Sequence, residues 1–522
     1  MANRRDFLKA AGAASAAMTM SAASYADVPG AMERIRVGFI GVGGRCQQHI
    51  DVIKNLARTE RNVAPVAVCD VWDGDASLSR GTGRGLFPSA RKCDINVDDR
   101  NHVTKDYRRI LDQRDVDVVA VATPDHWHAK ITIDAAAAGK QVYCEKPMTK
   151  TIEEAQAVVD AVRRHNTVMT VGVQSMADPT WRMANDMIKR GDIGHVAQAQ
   201  TSYYRNSQVG QWRYYPLTRT MNPTTVDWPM FLGTRFSVIP GVPLAPEMPF
   251  DRAIFAQWRC YWDFGGGMYT DLFVHQTTHL IAAMGVRYPA RVVGGGGIYL
   301  EYDQRDVPDV ATVVADYDEG CQAIITATMI NDHAIEECIR GHLATLKFGT
   351  RTRMVEGRQV REFGFWVLPQ NIGDRPAGPM GGAGGDGRFV AGGLEGDDTA
   401  ALWRNFLECV RTRNRETLST PELGAAAFTT VNMGVQSYRQ GKVLFWDKER
   451  RRVAEADDSW ARRWERRSKD RGRPSQIIGW TGGDRGSTLS PPDYQALQGP
   501  WVGGRDPAPP VPAPTGGGAE RR

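Results

Sequence analysis

Three residues that are far apart in the chain have the side chains needed to move a proton and stabilise charge on an oxygen: Lys146, Asp271 and His275. Asp271 and His275 are four residues apart, so on a helix they would share one face. A histidine suits general-base work on a hydroxyl because its unperturbed pKa lies near neutrality. Asp271 would orient the ring or bind substrate hydroxyls, and the Lys146 ammonium can stabilise a developing alkoxide. We predict that these residues form the catalytic group.

Other histidines allow a metal interpretation. His275 and His279 have i, i+4 spacing on the same predicted helix, and His126 and His128 alternate as zinc ligands on a strand can. The latter pair, however, follows Pro124 at the start of a predicted helix. We predict no metal, because no further cluster of Cys, Asp or His completes a closed ligand shell. A solvated pair on a helix surface remains an alternative for Asp271 and His275.

A glycine-rich turn follows the first predicted strand, residues 35–40. Its sequence is Gly41-Val42-Gly43-Gly44-Arg45-Cys46, and a helical segment follows. This is the strand, turn and helix order of a dinucleotide-binding fold. Gly41 would make the tight turn, and Gly43 would let a pyrophosphate approach the helix N-terminus. Cys46 occupies a position where Gly or Ala is usual, and its larger side chain predicts slightly wider spacing of strand and helix.

A carboxylate follows the second predicted strand. The apolar run 64–69 ends at Asp70, near the distance from the glycine turn at which an acidic residue meets the adenosine ribose. A carboxylate there repels a 2′-phosphate, so the cofactor is predicted to be NAD, with NADP less favoured. The alternatives are a helix cap or loop carboxylate for Asp70, and an ordinary turn for the glycines.

Strands and helices continue to alternate to residue 173. The predicted strands are 116–122, 141–144 and 168–173, and the predicted helices are 127–138 and 152–164. This alternation predicts an α/β domain with a Rossmann-like, doubly wound parallel sheet. Ligands of such sheets bind beyond the carboxyl ends of the strands, where Thr123-Pro124 and Glu145-Lys146-Pro147 lie.

Four motifs occur in the order found in one known family. They are the glycine turn, Ala122-Thr123-Pro124-Asp125-His126-Trp127-His128, Glu145-Lys146-Pro147, and Gly265-Gly266-Gly267 running into Asp271 and His275. Over residues 34–450 the chain resembles the glucose-fructose oxidoreductase, inositol dehydrogenase and rhizopine-catabolism (Gfo/Idh/MocA) family.

The resemblance implies that Lys146 contacts the substrate oxygen and the nicotinamide ribose, and that Pro147 holds its backbone. The alternative for Lys146 is a surface lysine paired with Glu145. The resemblance also places the 126–128 motif as a wall beside the nicotinamide. The predicted cofactor-binding residues are Gly41, Gly43, Gly44, Arg45, Asp70, Thr123, Pro124, His128, Glu145 and Lys146.

The second domain is expected to span residues 174–449. Predicted strands at 196–204, 311–317, 322–329 and 343–349 indicate an α+β domain with an open, largely antiparallel sheet. In relatives one face of such a sheet is commonly an oligomer surface, so a homo-oligomer is expected. An aromatic cluster suits either a sugar ring or a domain core and subunit interface: Tyr203, Tyr204, Trp212, Tyr214, Tyr215, Trp258, Tyr261 and Trp262.

The two ends of the chain differ from the body. Arg4 and Arg5 precede a short stretch rich in Ala, Ser and Gly and an Ala-x-Ala-like site before Asp27, which predicts a twin-arginine signal over 1–26. Residues 378–396 are glycine-rich and predict a surface loop. Residues 450–522 are basic and then rich in Pro and Gly, and we expect partial disorder, although tryptophans there could bind part of the extension to the body.

The composition limits the remaining possibilities. The 522 residues are 42% hydrophobic and 24% charged, with a net charge of +5 concentrated near the C-terminus, so neither nucleic-acid binding nor a membrane span in the mature protein is predicted. The eight cysteines lack CxxC spacing, which fits a fold completed in a reducing cytoplasm before export to the periplasm.

We therefore predict an exported NAD(P)-dependent oxidoreductase acting on a hydroxyl of a sugar, polyol or glycoside. Outside the cytoplasm no nicotinamide pool is replenished, so the cofactor is expected to be tightly bound. One alternative is a redox-neutral, NAD-dependent glycosidase or lyase that oxidises the ring transiently. Another is a non-catalytic sugar-binding protein that retains the fold.

Overall fold

A computed structural model describes residues 34–60, 62–370 and 387–469. Its strands are β1 (Ile35–Ile40), β2 (Val63–Cys69), β3 (Val103–Thr104), β4 (Val118–Val121), β5 (Gln141–Glu145), β6 (Met169–Gly172), β7 (Val196–Tyr204), β8 (Arg291–Gly297), β9 (Val310–Tyr317), β10 (Cys321–Thr328), β11 (Cys338–Gly341), β12 (Ala344–Val355), β13 (Arg358–Pro369), β14 (Arg388–Ala391), β15 (Leu444–Asp447) and β16 (Arg452–Ala454).

Its helices are α1 (Gly44–Thr59), α2 (Leu86–Lys92), α3 (Tyr107–Asp112), α4 (Asp125–Ala137), α5 (Ile152–Arg164), α6 (Thr180–Arg190), α7 (Trp228–Leu232), α8 (Arg252–Ala256), α9 (Gly267–Asp271), α10 (Phe273–Met284), α11 (Asp398–Thr412), α12 (Pro421–Gln440) and α13 (Trp460–Lys469).

The first sheet has six parallel strands in the order β3-β2-β1-β4-β5-β6. This confirms the doubly wound Rossmann topology, in which the chain reverses direction across the sheet between β1 and β4. The predicted α5 begins at Thr151, whose side chain forms a capping box with Glu154. Strand β3 was not predicted, because two residues are too short for an alternating pattern.

The second sheet has ten strands in the order β14-β13-β12-β11-β7-β10-β9-β8-β15-β16. Only the β7/β10 pair is parallel, which confirms the largely antiparallel prediction for this part of the chain. The hairpin of β9 and β10 is also confirmed. Helices α10 and α12 pack on this sheet.

The prediction of a surface loop over 378–396 was wrong in one part. Arg388–Ala391 form β14 and pair with β13, so the sheet gains an edge strand where glycine content alone indicated a loop. The strand forms because Phe389 can pack its ring on Trp366 of β13, with centroids 4.7 Å apart. Residues 371–386 lie outside the described residues.

One late helix packs on the first sheet. Leu402, Trp403 and Phe406 of α11 share a buried cluster with Val37 and Phe39 of β1. The chain therefore returns to the Rossmann layer after forming β7 to β14, before β15 and β16 complete the second sheet. The predicted domain boundaries at 173 and 449 remain predictions.

Part of the C-terminal extension packs on the body. β16 pairs with β15, and Trp460 of α13 lies near Phe445 and the Arg291 guanidinium. The signal at 1–26 and the region 470–522 lie outside the described residues. Among the helices that are described, none is long and apolar enough to cross a membrane. All eight cysteines are buried and free.

Candidate active site

The glycine turn lies against the strand beside it. Gly41 has a φ of 83°, and a Cβ there would come within 2.6 Å of the Thr123 main-chain nitrogen, so only glycine fits. Gly43 has open space around it, with no atom within 4 Å of a Cβ built on it. α1 begins at the next residue, Gly44. The turn therefore presents bare backbone and a helix N-terminus, the arrangement that accepts a phosphate.

A cavity of about 200 Å³ extends along the carboxyl ends of the first sheet. The predicted residues that line it are Gly41, Gly43, Gly44, Arg45, Asp70, Thr123 and Pro124. Cys46, the unusual residue of the fingerprint, is fully buried in α1. These positions fit a dinucleotide, because the phosphate cradle and the ribose carboxylate lie on the same cavity.

Asp70 follows β2 and faces this cavity. Its carboxylate accepts a hydrogen bond of 2.9 Å from the Trp72 main-chain N–H. Burial raises the pKa of Asp70 to about 6, although hydrogen bonds from the Trp72 and Val42 amides and the charge of Lys105 oppose the shift. The group is therefore mostly ionised at neutral pH and still able to accept a hydrogen bond from a ribose hydroxyl.

Arg84 is a cavity residue that sequence analysis missed. Its guanidinium carbon lies 3.4 Å from the position a Cβ on Gly44 would take, and its Nε donates to Ser79 Oγ at 2.7 Å. The Arg84 guanidinium thus lies beside the N-terminus of α1, where it would donate to a pyrophosphate in addition to the main-chain N–H groups. Arg84 lies between Gly83 and Gly85, and nothing in this local sequence predicts that its side chain reaches the glycine turn.

A segment of the second half covers the cavity, and we call residues 212–264 the covering segment. The Trp72 indole donates to the Thr220 carbonyl at 2.9 Å, and Asp227 N–H donates to the Val71 carbonyl at 2.8 Å. Thr220 Oγ1 donates to Asp75 at 2.9 Å. Apolar cavity-lining side chains of this segment are Met221, Met230, Phe231, Phe255 and Trp258.

Glu145 lies behind the cavity and positions its neighbours. Its Oε1 accepts from Arg45 Nε at 2.8 Å and from His49 Nε2 at 2.9 Å, and its Oε2 accepts from the Lys146 main-chain N–H at 3.1 Å. The Trp403 indole donates to His49 Nδ1 at 2.9 Å, so the proton of this neutral imidazole is on Nε2. Burial opposes ionisation of Glu145, but Arg45 and His49 outweigh it and hold the pKa well below its usual range.

The predicted catalytic residues come together from distant parts of the chain. Lys146 Nζ donates to Asp271 Oδ1 at 2.8 Å and to the Asp271 carbonyl at 2.9 Å, and the Lys146–Pro147 peptide bond is cis. Arg259 Nε contacts the same carboxylate oxygen at 3.2 Å. Burial disfavours the Asp271 carboxylate, but the charges of Lys146 and Arg259 dominate and lower its pKa.

Asp271 and His275 do not lie on one continuous helix, as the sequence analysis assumed. α9 ends at Asp271 and α10 begins at Phe273, with Leu272 between them at φ −105° and ψ −49°. The break lets the Asp271 carbonyl accept from Lys146. His275 nevertheless stays in the same electrostatic environment, since burial and the charge of Lys146 lower its pKa to about 3.

Asp125 is a buried carboxyl group next to this cluster. It is 2% exposed, and its Oδ2 lies 2.8 Å from the position of a Cβ on Gly265. Burial and the nearby Asp271 charge raise the pKa of Asp125 well above its ordinary value. The ionised form of this side chain is thus disfavoured. The sequence shows Asp125 within the motif after β4 but gives no sign of its protonation state.

The remaining histidines have structural partners. His128 is buried between the carbonyls of Pro147 at 2.6 Å and Thr123 at 2.8 Å, so it supports both predicted loops without lining the cavity. His126 Nε2 lies 2.8 Å from the Phe231 carbonyl. His279 stacks on Trp181 and contacts Glu337 at 2.7 Å. Within the ranges that the structure describes, no three His, Cys, Asp or Glu residues are grouped to hold a metal.

The aromatic cluster divides between core and site. Trp212 and Trp258 are buried, whereas Tyr214 is 44% exposed. The Tyr203 ring lies 6.1 Å from the His275 ring, and Tyr215 lines the cavity beside Arg259. A sugar ring could therefore meet aromatic faces beside the catalytic cluster.

This fold and site define a class of proteins in which a Rossmann-like parallel sheet is followed by a second, largely antiparallel sheet. Residues 35–173 match the oxidoreductase family with an NAD-binding Rossmann fold (GFO_IDH_MocA), and residues 1–21 match the twin-arginine translocation pathway signal sequence. Residues 35–173 thus match the NAD-binding domain of the Gfo/Idh/MocA oxidoreductase family, and the N-terminus matches a signal for export by the twin-arginine route.

Similar proteins include both hydrolases and dehydrogenases. A glycosyl hydrolase family 109 protein of Shewanella baltica is 31% identical over 242 residues, which are 41% of this chain and 50% of the relative. A levoglucosan dehydrogenase of Pseudarthrobacter phenanthrenivorans is 41% identical over 103 residues, 20% of this chain and 26% of that protein. The chain thus spans at most half the length of these relatives.

A solved structure shares the fold over most of both chains. The WlbA dehydrogenase from Bordetella pertussis, in complex with NADH and UDP-GlcNAcA, has a TM-score of 0.53 and 18% identity, and the match covers 79% of this chain and 99% of that one. The similarity supports the two-domain architecture.

Proposed function

We propose that the protein is a periplasmic, NAD-dependent oxidoreductase that acts on a hydroxyl of a sugar, polyol or glycoside. The observation that carries the proposal is the buried pair of Lys146 and Asp271, whose Nζ and Oδ1 atoms are 2.8 Å apart. His275 lies in the electrostatic field of this pair, and the same chain has a glycine turn that lines a cavity. The Gfo/Idh/MocA family and the names of the dehydrogenase relatives support this choice of reaction.

The cofactor would be held by residues of the first sheet. Gly41, Gly43 and the N-terminus of α1 would receive the pyrophosphate, with Arg84 as a further donor, and Asp70 would accept from the ribose. When bound, NAD supplies the acceptor for a hydride. The covering segment would slow its release, since it closes the cavity through hydrogen bonds to Val71 and Trp72.

The chain's own residues would handle the substrate oxygen and its proton. Lys146 would donate to the oxygen and stabilise the charge that develops there. His275 is unprotonated at neutral pH, because burial and Lys146 lower its pKa to about 3. It is a weak base, but the hydroxyl proton becomes strongly acidic as the C–H bond breaks, so a weak base suffices. Asp271 would hold the Lys146 ammonium in place.

Redox-neutral glycoside cleavage is the second candidate, because the Shewanella relative is named as a glycosyl hydrolase. Oxidation of a ring hydroxyl would acidify the neighbouring C–H, and His275 or Lys146 would assist removal of that proton before the aglycone leaves. Water then adds at the carbon that carried the aglycone, and the carbonyl is reduced again. Enclosure of the cofactor by the covering segment suits both reactions. The redox-neutral cycle restores the bound nucleotide itself, whereas the dehydrogenase would need a second substrate, such as an acceptor sugar, to reoxidise it in place.

The test begins with mass spectrometry of the nucleotide released from the purified, exported protein. Sugars and glycosides are then added to the loaded protein while the reduced-nicotinamide absorbance is followed. Lys146→Met is expected to slow the absorbance change by about 10²–10⁴-fold, with the nucleotide still bound. The control is Lys130→Met, which removes a lysine paired with Asp134 on α4.

The products distinguish the two candidates. Oxidised sugar with lasting nicotinamide reduction supports the dehydrogenase, whereas a released aglycone with no net reduction supports the glycosidase. A protein that neither contains nor binds a nicotinamide nucleotide would contradict both candidates and leave a sugar-binding protein.

A further inference from the structure

Arg205 follows β7 close to the catalytic cluster. Its guanidinium carbon lies 4.6 Å from the Tyr203 ring centroid, and it donates to the Tyr203 hydroxyl. The Tyr203 ring in turn lies 6.1 Å from the ring of His275. Gln276, the next residue of α10, donates to the Ser202 carbonyl at 3.1 Å and ties the helix to the end of β7. One aromatic ring therefore separates Arg205 from His275.

Arg205 differs from two other arginines of the second half, Arg259 and Arg213. Arg259 is paired with Asp271, and Arg213 is paired with Asp303 at 2.8 Å. No described carboxylate forms an ion pair with Arg205, which is partly exposed. A guanidinium has five N–H donors, and the Tyr203 hydroxyl accepts from one nitrogen only. The side chain can therefore still bind an anion in two-point fashion.

The local charge balance also favours an anion. Lys146, Arg259 and Arg205 are three cations, whereas Asp271 is the ionised carboxylate among them. Even an ionised Asp125 would leave three cations against two carboxylates, and burial and the Asp271 charge disfavour this ionisation by raising the pKa of Asp125. Glu145 is already neutralised by Arg45 at 2.8 Å. The site thus keeps an excess of positive charge at neutral pH.

We propose that the substrate carries a carboxylate, as a uronic acid does, and that Arg205 binds this group while Lys146 and His275 act on a ring hydroxyl. The planar guanidinium matches a carboxylate in bidentate geometry, and stacking on Tyr203 holds it in one plane. The inference rests on the proposed function, since it names the substrate class of the same site. It makes Arg205 a specificity-determining residue.

The test compares matched acidic and neutral sugars on the nucleotide-loaded protein. Glucuronate is paired with glucose and galacturonate with galactose, with glucose 6-phosphate as a second anion. Binding is measured by calorimetry and turnover by nicotinamide absorbance. Wild type is expected to prefer the uronates, and Arg205→Gln is expected to reduce the ratio of uronate to neutral-sugar affinity by about 10- to 100-fold. The variant Arg205→Lys should keep part of this ratio, because lysine has the positive charge but lacks the two parallel N–H donors of a guanidinium.

The control is Arg351→Gln, an arginine stacked on Phe389 in the second sheet, and it should leave the ratio unchanged. If neutral sugars bind and react as well as uronates, or Arg205→Gln leaves the ratio intact, the inference is overturned while the proposed function stands. A preference for the sugar phosphate over the uronates overturns the carboxylate assignment. If no sugar is bound or oxidised, the proposed function fails and the inference fails with it.

Discussion

Individual residues of the site have separable tasks, and the two glycines of the turn show this most directly. Gly41 is required by its positive φ and by the Thr123 backbone, whereas Gly43 has free space around it. One glycine therefore serves the fold and the other serves the ligand. Their alanine variants are expected to fail in different assays.

We expect Gly43→Ala to fold normally but to bind NAD or ADP-ribose weakly, because the new methyl group occupies the space that a phosphate needs. Its φ of −76° and the open space around it suit an alanine, so we expect only the loss of a favoured N-cap residue, about 1 kcal/mol or less. Gly41→Ala should lower the free energy of unfolding by about 1–2 kcal/mol from the backbone conformation alone, with more from the contact at 2.6 Å. Thermal unfolding and calorimetry measure the two effects. Equal loss of stability in both variants would contradict this division.

The pH dependence of cofactor binding follows from Asp70. Burial raises its pKa to about 6, so the carboxylate is lost as pH falls below that value and is present above it. A ribose hydroxyl donates best to the ionised form, so we expect NAD affinity to fall by up to about tenfold per pH unit below the pKa. Calorimetry between mildly acidic and neutral pH measures it. The variant Asp70→Asn is expected to bind NAD weakly, with an affinity that does not change with pH. If the variant kept the pH dependence, another group would be its cause.

The arrangement of strands and loops explains how the cavity is covered. β1, β2 and β4 end at one edge of the first sheet, and the covering segment of the second half lies over that edge through main-chain hydrogen bonds. Apolar side chains from both halves form a buried cluster that includes Trp72, Met221 and Phe231. Access to the cavity therefore depends on how firmly this segment is attached.

Thr220→Val tests the attachment without altering a residue that lines the cavity. It removes the hydrogen bond to Asp75 at 2.9 Å, a loss of about 1 kcal/mol that corresponds to roughly fivefold faster nucleotide release. Release is measured by dilution of the loaded protein into a nucleotide-consuming assay. Thr224→Val is the matched control, because this exposed threonine bonds only to Asn222 within the same segment. Identical release rates for the two variants would show that the segment does not retain the cofactor.

At the level of the whole molecule, folding and export are linked. The eight cysteines are buried and free, so the protein needs no oxidising compartment to fold. The signal at residues 1–21 directs the chain to a route that carries folded proteins. A cavity covered by the second half would then be loaded with nucleotide before the membrane is crossed.

The double variant Arg4→Lys with Arg5→Lys is expected to abolish export, because the arginine pair is a receptor-read address that lysine does not replace. The measurement is the share of protein in periplasmic and cytoplasmic fractions of a Gram-negative host. Lys9→Arg, which keeps the charge of the same segment, should be exported normally. Export of the double variant at the wild-type level would contradict the twin-arginine route.

Local sequence patterns predicted many of the elements and seven of the residues that line the cavity. The runs that became β1, β2 and β7, the capping box at Thr151 and the hairpin of β9 and β10 were predictable, because strand alternation and capping are local properties. Gly41, Gly43 and Asp70 were found for the same reason, since their roles follow from position relative to a strand.

Only the tertiary structure decided the features that depend on distant residues. Four features depend on parts of the chain that no local pattern relates. They are the position of Arg84 beside the turn, the covering segment over the cavity, the link from Trp403 through His49 to Glu145, and the break at Leu272. The raised pKa of Asp125 and the free donors of Arg205 belong to the same class, because burial and the spatial arrangement of charges set them. The sequence alone thus determines which chemical groups are available, and packing determines which of them act on one another.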